Sequence, residues 1–486
     1  MILMISDLNR INIVDTIRRE TASYLSRYAV SQEKKSITYG ELLEKVEELS
    51  LFLVNECGIE EHYRVALLCE DSIEYIITAL ALLDIGAVML PASPSLSSRE
   101  FDSLCQRMEV NCVICQRSRD IFHKFVDLSE KLSIYNTGKK LQPLYNDGKK
   151  LQPFCKEEEV IDPAFIRFSS GTTGMSKGVL LTHSAIIQRT DAADERLKIT
   201  ESDTIAWFLS MSYHFVVTIL LFLRRGAHIV LCGDSFPKGA AEAFQRHPPS
   251  FLYASPFHYT LMTRNNDFSG ELLSNVRMAI STAMALEKKV AVEFMEKFHI
   301  ALVQAYGIIE VGLPFINHRT DDEYIASVGQ ILPAYQMKLE DKDLDGRGRI
   351  LLKGKGMFEG YVSPWQRREE WFDTGDIGEI KDGFLFICGR KKNLINFNGM
   401  KIFPEEVEQA MLQFEGIEEV KVYGETHRMY GQLPVAQYTV SGNVKEIDLG
   451  ALKRFLKERL DIYKIPKEFV KTDIIEKTLS GKIQRC

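Results

Sequence analysis

The 486 residues are enough for two or more domains and a large core. Hydrophobic residues make up 45% and charged residues 26%, an ordinary balance for a globular protein. The formal net charge of −7 argues against a general nucleic-acid surface, so a phosphorylated ligand would have to find local basic residues.

The opening MILMISDLNRIN has no basic segment followed by a sustained apolar run, so no signal peptide is expected. The stretch 207–223 is uncharged and contains Ser, Thr, Tyr and His. A buried strand and helix fit it better than a membrane span, and no stable membrane insertion is expected. The nine cysteines are scattered, which suits free thiols in a reducing compartment and a cytoplasmic location. Cys112 and Cys115 form a lone CxxC, which reads as a buried strand, with a metal or redox site as the other possibility.

Residues 1–60 read as helix-rich. In the second helical pattern Leu42, Val46, Leu49 and Leu53 recur on one face. A strand at 64–69, a helix at 72–83 and a strand at 88–90 follow, then a helix at 99–108 and a strand at 110–115. This alternation indicates an α/β domain with parallel pairing. The polar segment 135–154 carries GKKLQP twice and reads as an exposed loop. Apolar runs at 164–168 and 179–181 bracket FSSGTTGMSKG, giving strand–loop–strand.

Beyond it, 184–198 and 217–223 read as helices, and 204–210, 228–232, 250–254, 276–280 and 301–305 as strands. From Ser327 onward, short strands bounded by Gly and Pro suggest a β-rich piece. After Arg390, helices at 404–413 and 449–460 and a strand at 419–423 suggest a small α+β unit. The expected fold class is α/β. Residues 1–390 form a large N-terminal domain of parallel α/β layers with a β-rich closing subdomain. Residues 391–486 form a small mobile C-terminal domain.

The stretch 168–178 concentrates three glycines, five hydroxyls and one lysine. Hydroxyls and backbone N–H groups on a glycine-rich turn suit phosphate oxygens. Gly171 and Gly174 can take the positive φ such a turn needs. The stretch is not a Walker A loop, because Ser176 stands where the second glycine would fall and Gly178 follows Lys177. Four further stretches have candidate chemistry: AYGIIE (305–310), WFDTGD (371–376), GRKKNLINFNGMKIFPEEVE (389–408) and LSGKIQR (479–485). A carboxylate beside a phosphate loop makes sense if a hard cation lies between them.

Taken together and in this order, the five stretches resemble the adenylate-forming, AMP-binding superfamily, in its acyl-CoA synthetase, aryl-CoA ligase and luciferase-like branch. The likeness runs from ITYGEL (37–42) to Lys482. The family's loop is two hydroxyl residues, Gly, a hydroxyl residue, Thr and Gly, then Pro-Lys-Gly after one free position. Only Ser176 departs from it, where Pro is usual.

The resemblance implies that Ser169, Ser170, Gly171, Thr172, Thr173, Gly174 and Lys177 cradle the phosphates of ATP, with Thr173 among the catalytic residues. It implies that Tyr306, with Gly307, packs on adenine and that Glu310 reaches Mg²⁺. The small-residue stretch STAMAL, with Ala283, would lie against the base. Asp376 would grip the ribose hydroxyls with Arg390 close by. Lys392 would be the hinge of the small domain, and Gly399 would line the pantetheine tunnel. Lys482 would touch the reacting carboxylate and the α-phosphate.

His214, in SMSYHF, would lie near the acid substrate, although a core histidine accounts for it equally well. Ile309 replaces a usual threonine and Asn393 a usual acidic residue. No acidic residue lies between Phe208 and Leu223, which argues against an amino-acid substrate.

The implied activity is ATP-dependent activation of a fatty or aryl carboxylic acid through an acyl-adenylate, then thioester formation with coenzyme A. Loading of an acyl carrier protein in trans is the first alternative. A nucleotide-binding regulator with impaired catalysis is the second.

Overall fold

The computed structural model describes residues 11–115, 125–127, 162–168, 177–233, 236–397, 400–428, 430–442, 444, 446–477 and 483–484. The chain forms two compact units. One comprises Met1–Ile325, Ile331–Gln336 and Lys353–Glu370; the other comprises Ala326–Gln330, Met337–Leu352 and Trp371–Cys486.

The first unit is built on two large sheets. In the eight-stranded sheet, Pro163–Phe168, Val88–Pro91, Arg64–Leu68, Cys112–Cys115 and Phe125–Asp127 run parallel in that order. Arg64–Leu68, Val88–Pro91 and Cys112–Cys115 are buried at every position. Their continuous apolar runs are what a sheet covered on both faces requires. Crossover helices supply the cover. Ile73–Asp84 starts where Ser72 Oγ accepts from Tyr75 N at 3.0 Å, and it buries apolar residues nearly all round. Tyr39–Asn55 opens on a Thr38–Glu41 capping box and buries Leu42, Val46, Leu49 and Leu53, the face expected from the sequence.

The second sheet has nine strands. Tyr28–Gln32, His228–Leu231, Thr204–Trp207, Phe251–Ala254, Met278–Ser281 and Leu302–Ile308 are parallel neighbours in that order. Antiparallel strands flank these six, Lys35–Thr38 at one edge and Gly312–Ile316 next to Leu302–Ile308, with the two-residue strand Gln330–Ile331 outermost beyond it. Helices Lys238–Arg246, Pro256–Arg264 and Lys288–Phe298 share a core with it, filled by Phe244, Tyr259, Phe268 and Phe294.

The hairpin of Tyr28–Gln32 and Lys35–Thr38 corrects the helix-rich reading of residues 1–60. Its sequence, YAVSQEKKSIT, is half polar and turns through Glu33 at φ 51°, so neither periodicity stands out. The uncharged stretch 207–223 resolves into the end of a strand, the short helix Met211–His214, a π-helical segment Phe215–Ile219 and the helix Leu220–Arg224. No helix among the described residues is long and apolar enough to cross a membrane. Cys112 and Cys115 are buried free thiols on one strand.

The second unit contains an antiparallel four-stranded sheet of Tyr335–Glu340, Gly348–Gly354, Phe372–Lys381 and Phe384–Arg390, as the Gly-bounded pattern suggests. Its other sheet pairs Met400–Ile402, Ile395–Phe397, Gly431–Val440 and Ile417–His427, with Glu468–Lys471 added parallel to Gly431–Val440. Helices Pro404–Leu412 and Leu449–Lys457 share its core through Val407, Met411, Leu452 and Leu456. The α/β class read from the sequence is therefore the observed one.

Candidate active site

The glycine-rich stretch joins Pro163–Phe168 to Gly178–Thr182, an antiparallel pair with Phe168 opposite Gly178 and Arg167 opposite Val179. Strand–loop–strand is what the sequence predicts. Ser169, Ser170, Gly171, Thr172, Thr173 and Gly174 lie outside the described residues. The exit strand is braced by Gly360–Val362, where Tyr361 pairs with Val179. A Cβ at Gly178 would come within 2.5 Å of Val362 Cγ2 and 2.8 Å of Met108 Sδ, so this close packing requires glycine. Lys177 is exposed, with Nζ 4.6 Å from the centroid of the Tyr361 ring.

Tyr306 and Gly307 end the strand Leu302–Ile308, and Glu310 sits on the turn into Gly312–Ile316. Tyr306 pairs with Phe315, their rings 6.0 Å apart. The turn is held at three points. Ile309 O accepts from Arg189 Nη1 at 3.0 Å, Glu310 O accepts from Phe358 N at 2.8 Å, and Glu310 Oε1 accepts from Tyr361 Oη at 3.1 Å.

Ala283 follows Met278–Ser281, the parallel neighbour of Leu302–Ile308, and adopts φ 71°. Thr282 Oγ1 donates to Ala305 O at 3.3 Å and Leu286 N to Gln304 Oε1 at 2.8 Å, which fastens the turn around Ala283 to the strand bearing Tyr306. Ala283 and Tyr306 thus stand at the carboxyl ends of adjacent parallel strands, where open α/β sheets bind ligands. A non-glycine residue held at positive φ is a feature that clusters at such sites.

His214 ends the helix Met211–His214, its ring 6.3 Å from Trp207. The neighbouring Tyr213 carbonyl accepts from Arg167 Nη1, and the guanidinium carbon lies 5.0 Å from the Tyr213 ring centroid. Arg167 therefore ties the strand entering the glycine-rich loop to the segment carrying His214. Sequence reading missed Arg167, Arg189 and Tyr361. Arg167 adjoins the loop in the sequence, but Arg189 and Tyr361 reach the site only through tertiary packing.

Among the described residues neither Arg167 nor Arg189 has a carboxylate within ion-pair distance. Burial pushes both down to about 10, which still leaves them charged at neutral pH. Arg167 Nε is buried and has no hydrogen-bond partner among the described residues. Both guanidiniums feel the charge of Glu310, which raises their pKa values against the effect of burial.

Glu310 fits a Mg²⁺ role in this setting. Among the described residues no group of three or more His, Cys, Asp or Glu could hold a metal. Mg²⁺ commonly takes only one or two carboxylates and completes its shell with phosphates and water.

In the second unit, Asp376 and Arg390 face each other across the pair Phe372–Lys381 and Phe384–Arg390, with Arg390 Nε 2.8 Å from Asp376 Oδ1. The two ribose candidates are thus brought together. Asp376 is 3% exposed, and its N–H donates to Thr374 Oγ1 at 3.1 Å across a turn with Gly375 at φ 73°. Lys392 is exposed on the 3₁₀ turn Lys391–Asn393, directly after Arg390. Asn393 Nδ2 donates to Glu405 Oε1 at 3.0 Å, so a neutral hydrogen-bond donor occupies the position of the usual acidic residue. Gly399 and Lys482 lie outside the described residues. The segment with Lys482 is flanked by a Lys477–Ile483 bridge.

The sequence model described as AMP-binding enzyme matches residues 17–362, and its C-terminal-domain companion matches residues 406–482. The chain is 28% identical over 468 residues to a 2-succinylbenzoate–CoA ligase of Listeria innocua, covering 93% of this chain and 94% of that protein. It is 24% identical over 528 residues to a long-chain-fatty-acid–CoA ligase of Escherichia coli, covering 98% and 93%. Among solved structures, ATP-bound MatB from Rhodopseudomonas palustris superposes with a TM-score of 0.84 at 22% identity, covering 97% of both chains. The o-succinylbenzoate CoA synthetase of Bacillus subtilis with its acyl-adenylate superposes at 0.81 and 21% identity, covering 98% of this chain and 97% of that one. These superpositions establish the fold.

Proposed function

Because the chain belongs to the AMP-binding enzyme family, we propose that it is an ATP-dependent acid–thiol ligase that forms an acyl-adenylate and passes the acyl group to coenzyme A. The observation that carries the reading is the Glu310 turn. One carboxylate is held by Tyr361 on the strand that braces the loop's exit, and the unpaired guanidiniums of Arg167 and Arg189 lie on the strand and helix flanking that loop. The relatives named as CoA ligases support the choice of acceptor and of a fatty or aryl acid.

In this mechanism a carboxylate oxygen of the acid attacks the α-phosphorus of ATP, and pyrophosphate leaves. The CoA thiolate then attacks the acyl carbonyl, and AMP leaves. Ser169, Ser170, Gly171, Thr172, Thr173, Gly174 and Lys177 hold the phosphates. Tyr306, Gly307 and Ala283 bound the base, and Asp376 with Arg390 takes the ribose. Mg²⁺, when bound at Glu310, neutralises charge on the departing pyrophosphate. Lys482 would offset the repulsion of the two anions that must meet, and His214 would border the acid. Catalysis is then positioning and electrostatic stabilisation of charge.

The large domain ends at Arg390, and residues 391–486 swing about Lys392 to bring the Gly399 loop to the thiol channel. The free, mostly buried thiols support a reducing compartment such as the cytoplasm.

The test is a panel of carboxylic acids assayed for pyrophosphate release with hydroxylamine as acceptor, followed by coenzyme A and a phosphopantetheinylated carrier protein side by side. AMP and pyrophosphate are the expected products, and ADP would overturn the mechanism. Failure of every acid to support exchange of labelled pyrophosphate into ATP would leave the regulator reading in its place.

A further inference from the structure

Arg189 is 0% exposed on the helix His183–Leu197, which begins directly after the strand leaving the glycine-rich loop. Its guanidinium forms no ion pair among the described residues. Instead it serves two main-chain carbonyls. Nε and Nη2 both donate to Gly356 O, at 2.9 and 2.6 Å, and Nη1 donates to Ile309 O at 3.0 Å.

Gly356 is gripped from its other side as well, because its N–H donates to Gln188 Oε1 at 2.9 Å. The fit leaves no room for a side chain at Gly356. The residue has φ 71°, and a Cβ would come within 2.6 Å of Arg189 N and 2.9 Å of Ala185 O. Gly312, which closes the Glu310 turn at φ 112°, packs on the same arginine, with a Cβ position 3.3 Å from Arg189 Cβ.

A buried cation that has no carboxylate in ion-pair contact among the described residues, only the more distant charge of Glu310, is a costly way to satisfy two carbonyls, since several neutral donors could do so without desolvating a charge. The cost makes sense if the charge itself is useful. The two segments joined by Arg189 are those that fix Glu310. Ile309 precedes it in the chain. The 356–361 segment supplies Phe358 N to its carbonyl and Tyr361 Oη to its carboxylate. A planar fork can hold both segments in one geometry, whereas the ammonium of a lysine cannot.

We propose that Arg189 is a positioning residue for Mg²⁺–nucleotide binding: it locks the Ile309–Glu310 turn to the 356–361 segment and places an unpaired positive charge behind the carboxylate. The side chain of residue 309 then matters less than its carbonyl, which gives a physical reason why isoleucine is tolerated where the family usually has threonine. This inference rests on the reading of Glu310 as the Mg²⁺-side carboxylate.

The test uses the full chain with Arg189→Lys, Arg189→Met, Gly356→Ala and Glu310→Gln. Two readouts do not depend on turnover. One is hydrogen exchange of the 309–312 amides without ligand. The other is calorimetric binding of ATP as a function of Mg²⁺ concentration. Arg189→Lys should speed exchange at 309–312 and raise the Mg²⁺ concentration for half-maximal ATP binding about 10–100-fold, as for partners that orient a metal ligand. The KM for the acid should stay within about twofold, because Arg189 is assigned to the Mg²⁺–nucleotide side of the site and not to the acid.

Gly356→Ala displaces the shared carbonyl without altering the charge, so it should reproduce the exchange change. It also carries the test alongside Arg189→Lys if Arg189→Met does not fold. Unchanged exchange or unchanged Mg²⁺ dependence in Arg189→Lys overturns the inference. Glu310→Gln separates the two failures. If it raises the Mg²⁺ requirement while Arg189→Lys does not, the inference about Arg189 alone is wrong. If Glu310→Gln leaves the Mg²⁺ requirement unchanged, the reading of Glu310 fails and the inference falls with it.

Discussion

The hydroxyl of Tyr361 donates to Glu310 Oε1 at 3.1 Å, so the strand pairing with the loop's exit also fixes the one carboxylate on the turn after Tyr306. Burial, and then the Glu310 charge, push the phenol well above the ordinary tyrosine range. It therefore stays a donor at neutral and moderately alkaline pH. Tyr361→Phe removes the bond and keeps the ring. A hydrogen bond to a charged group contributes about 1.5–3 kcal/mol. The variant should slow pyrophosphate exchange roughly tenfold or more, chiefly at low Mg²⁺. Wild-type exchange across a Mg²⁺ titration would remove Tyr361 from the site.

Asp203 tests what holds the first unit together. Burial alone would raise its pKa. Hydrogen bonds from Arg277, Ser250 and the Thr200 N–H more than offset this and leave it below the usual carboxylate range. Arg277 grips it with Nη2 to Oδ2 at 2.7 Å and Nε to Oδ1 at 2.8 Å. A depressed folded-state pKa means that the stabilisation is full above the unfolded value and is lost as pH falls through the folded one. Asp203→Asn leaves the partly buried Arg277 without its counter-ion and should cost about 3 kcal/mol. The urea midpoint at pH 7 would report it, and the mutant–wild-type gap should shrink below about pH 4.

His228 gives a pH effect of the same direction from a different cause. Burial, and then the charge of His247, lower it to about 4. Its Nε2 lies 2.7 Å from Ser31 Oγ, and its ring stands edge-on to His247 at 4.9 Å. The unfolded chain binds this proton first, so stability is full above about pH 6.5 and falls as pH drops from there toward 4. His228→Gln should flatten that part of the unfolding free-energy curve while leaving adenylation at pH 8 unchanged. A curve of unchanged slope would show that His228 does not set it.

How much of this was legible in the sequence follows from how each feature is encoded. Helices with one apolar stripe, such as Leu42–Val46–Leu49–Leu53, and buried parallel strands, such as Arg64–Leu68, are written locally, and the structure has them at those places. The hairpin at Tyr28–Gln32 and Lys35–Thr38 was not legible, because two short, half-polar strands, the second of them at the sheet edge, lack the apolar run that marks a core strand. Asp376 and Arg390 were legible as single residues, and their 2.8 Å pairing follows from strand register. Arg189 lies 120 positions from Ile309 and 167 from Gly356, and no local pattern reports hydrogen bonds to carbonyls so distant. Tyr361, 51 positions from Glu310, escaped for the same reason.

In the proposed mechanism Lys482 should separate the two half-reactions. A cation that offsets the repulsion between a carboxylate and an α-phosphate acts only while those two anions approach each other. Lys482→Ala should slow adenylate formation by roughly 10²-fold or more. The same variant, given a synthetic acyl-adenylate, should still make thioester at nearly the wild-type rate. Equal losses in both steps would mean that the lysine serves the fold.

Lys392 should prove to be a backbone hinge. It is exposed on the 3₁₀ turn Lys391–Asn393, between the strand ending at Arg390 and the strand Ile395–Phe397. One side chain of the turn, Asn393, is tied through Nδ2 to the Glu405 carboxylate. A hinge must absorb a change in φ and ψ, and proline fixes φ near −65°. Lys392→Pro should therefore hold one orientation of residues 391–486. Adenylation precedes any swing, so pyrophosphate exchange should persist while thioester formation falls steeply. Lys392→Ala removes the charge but leaves the backbone free, and both half-reactions should survive it. Measuring the two steps separately in both variants decides the matter. If alanine impairs thioester formation as much as proline does, the side chain carries the function and the hinge assignment fails.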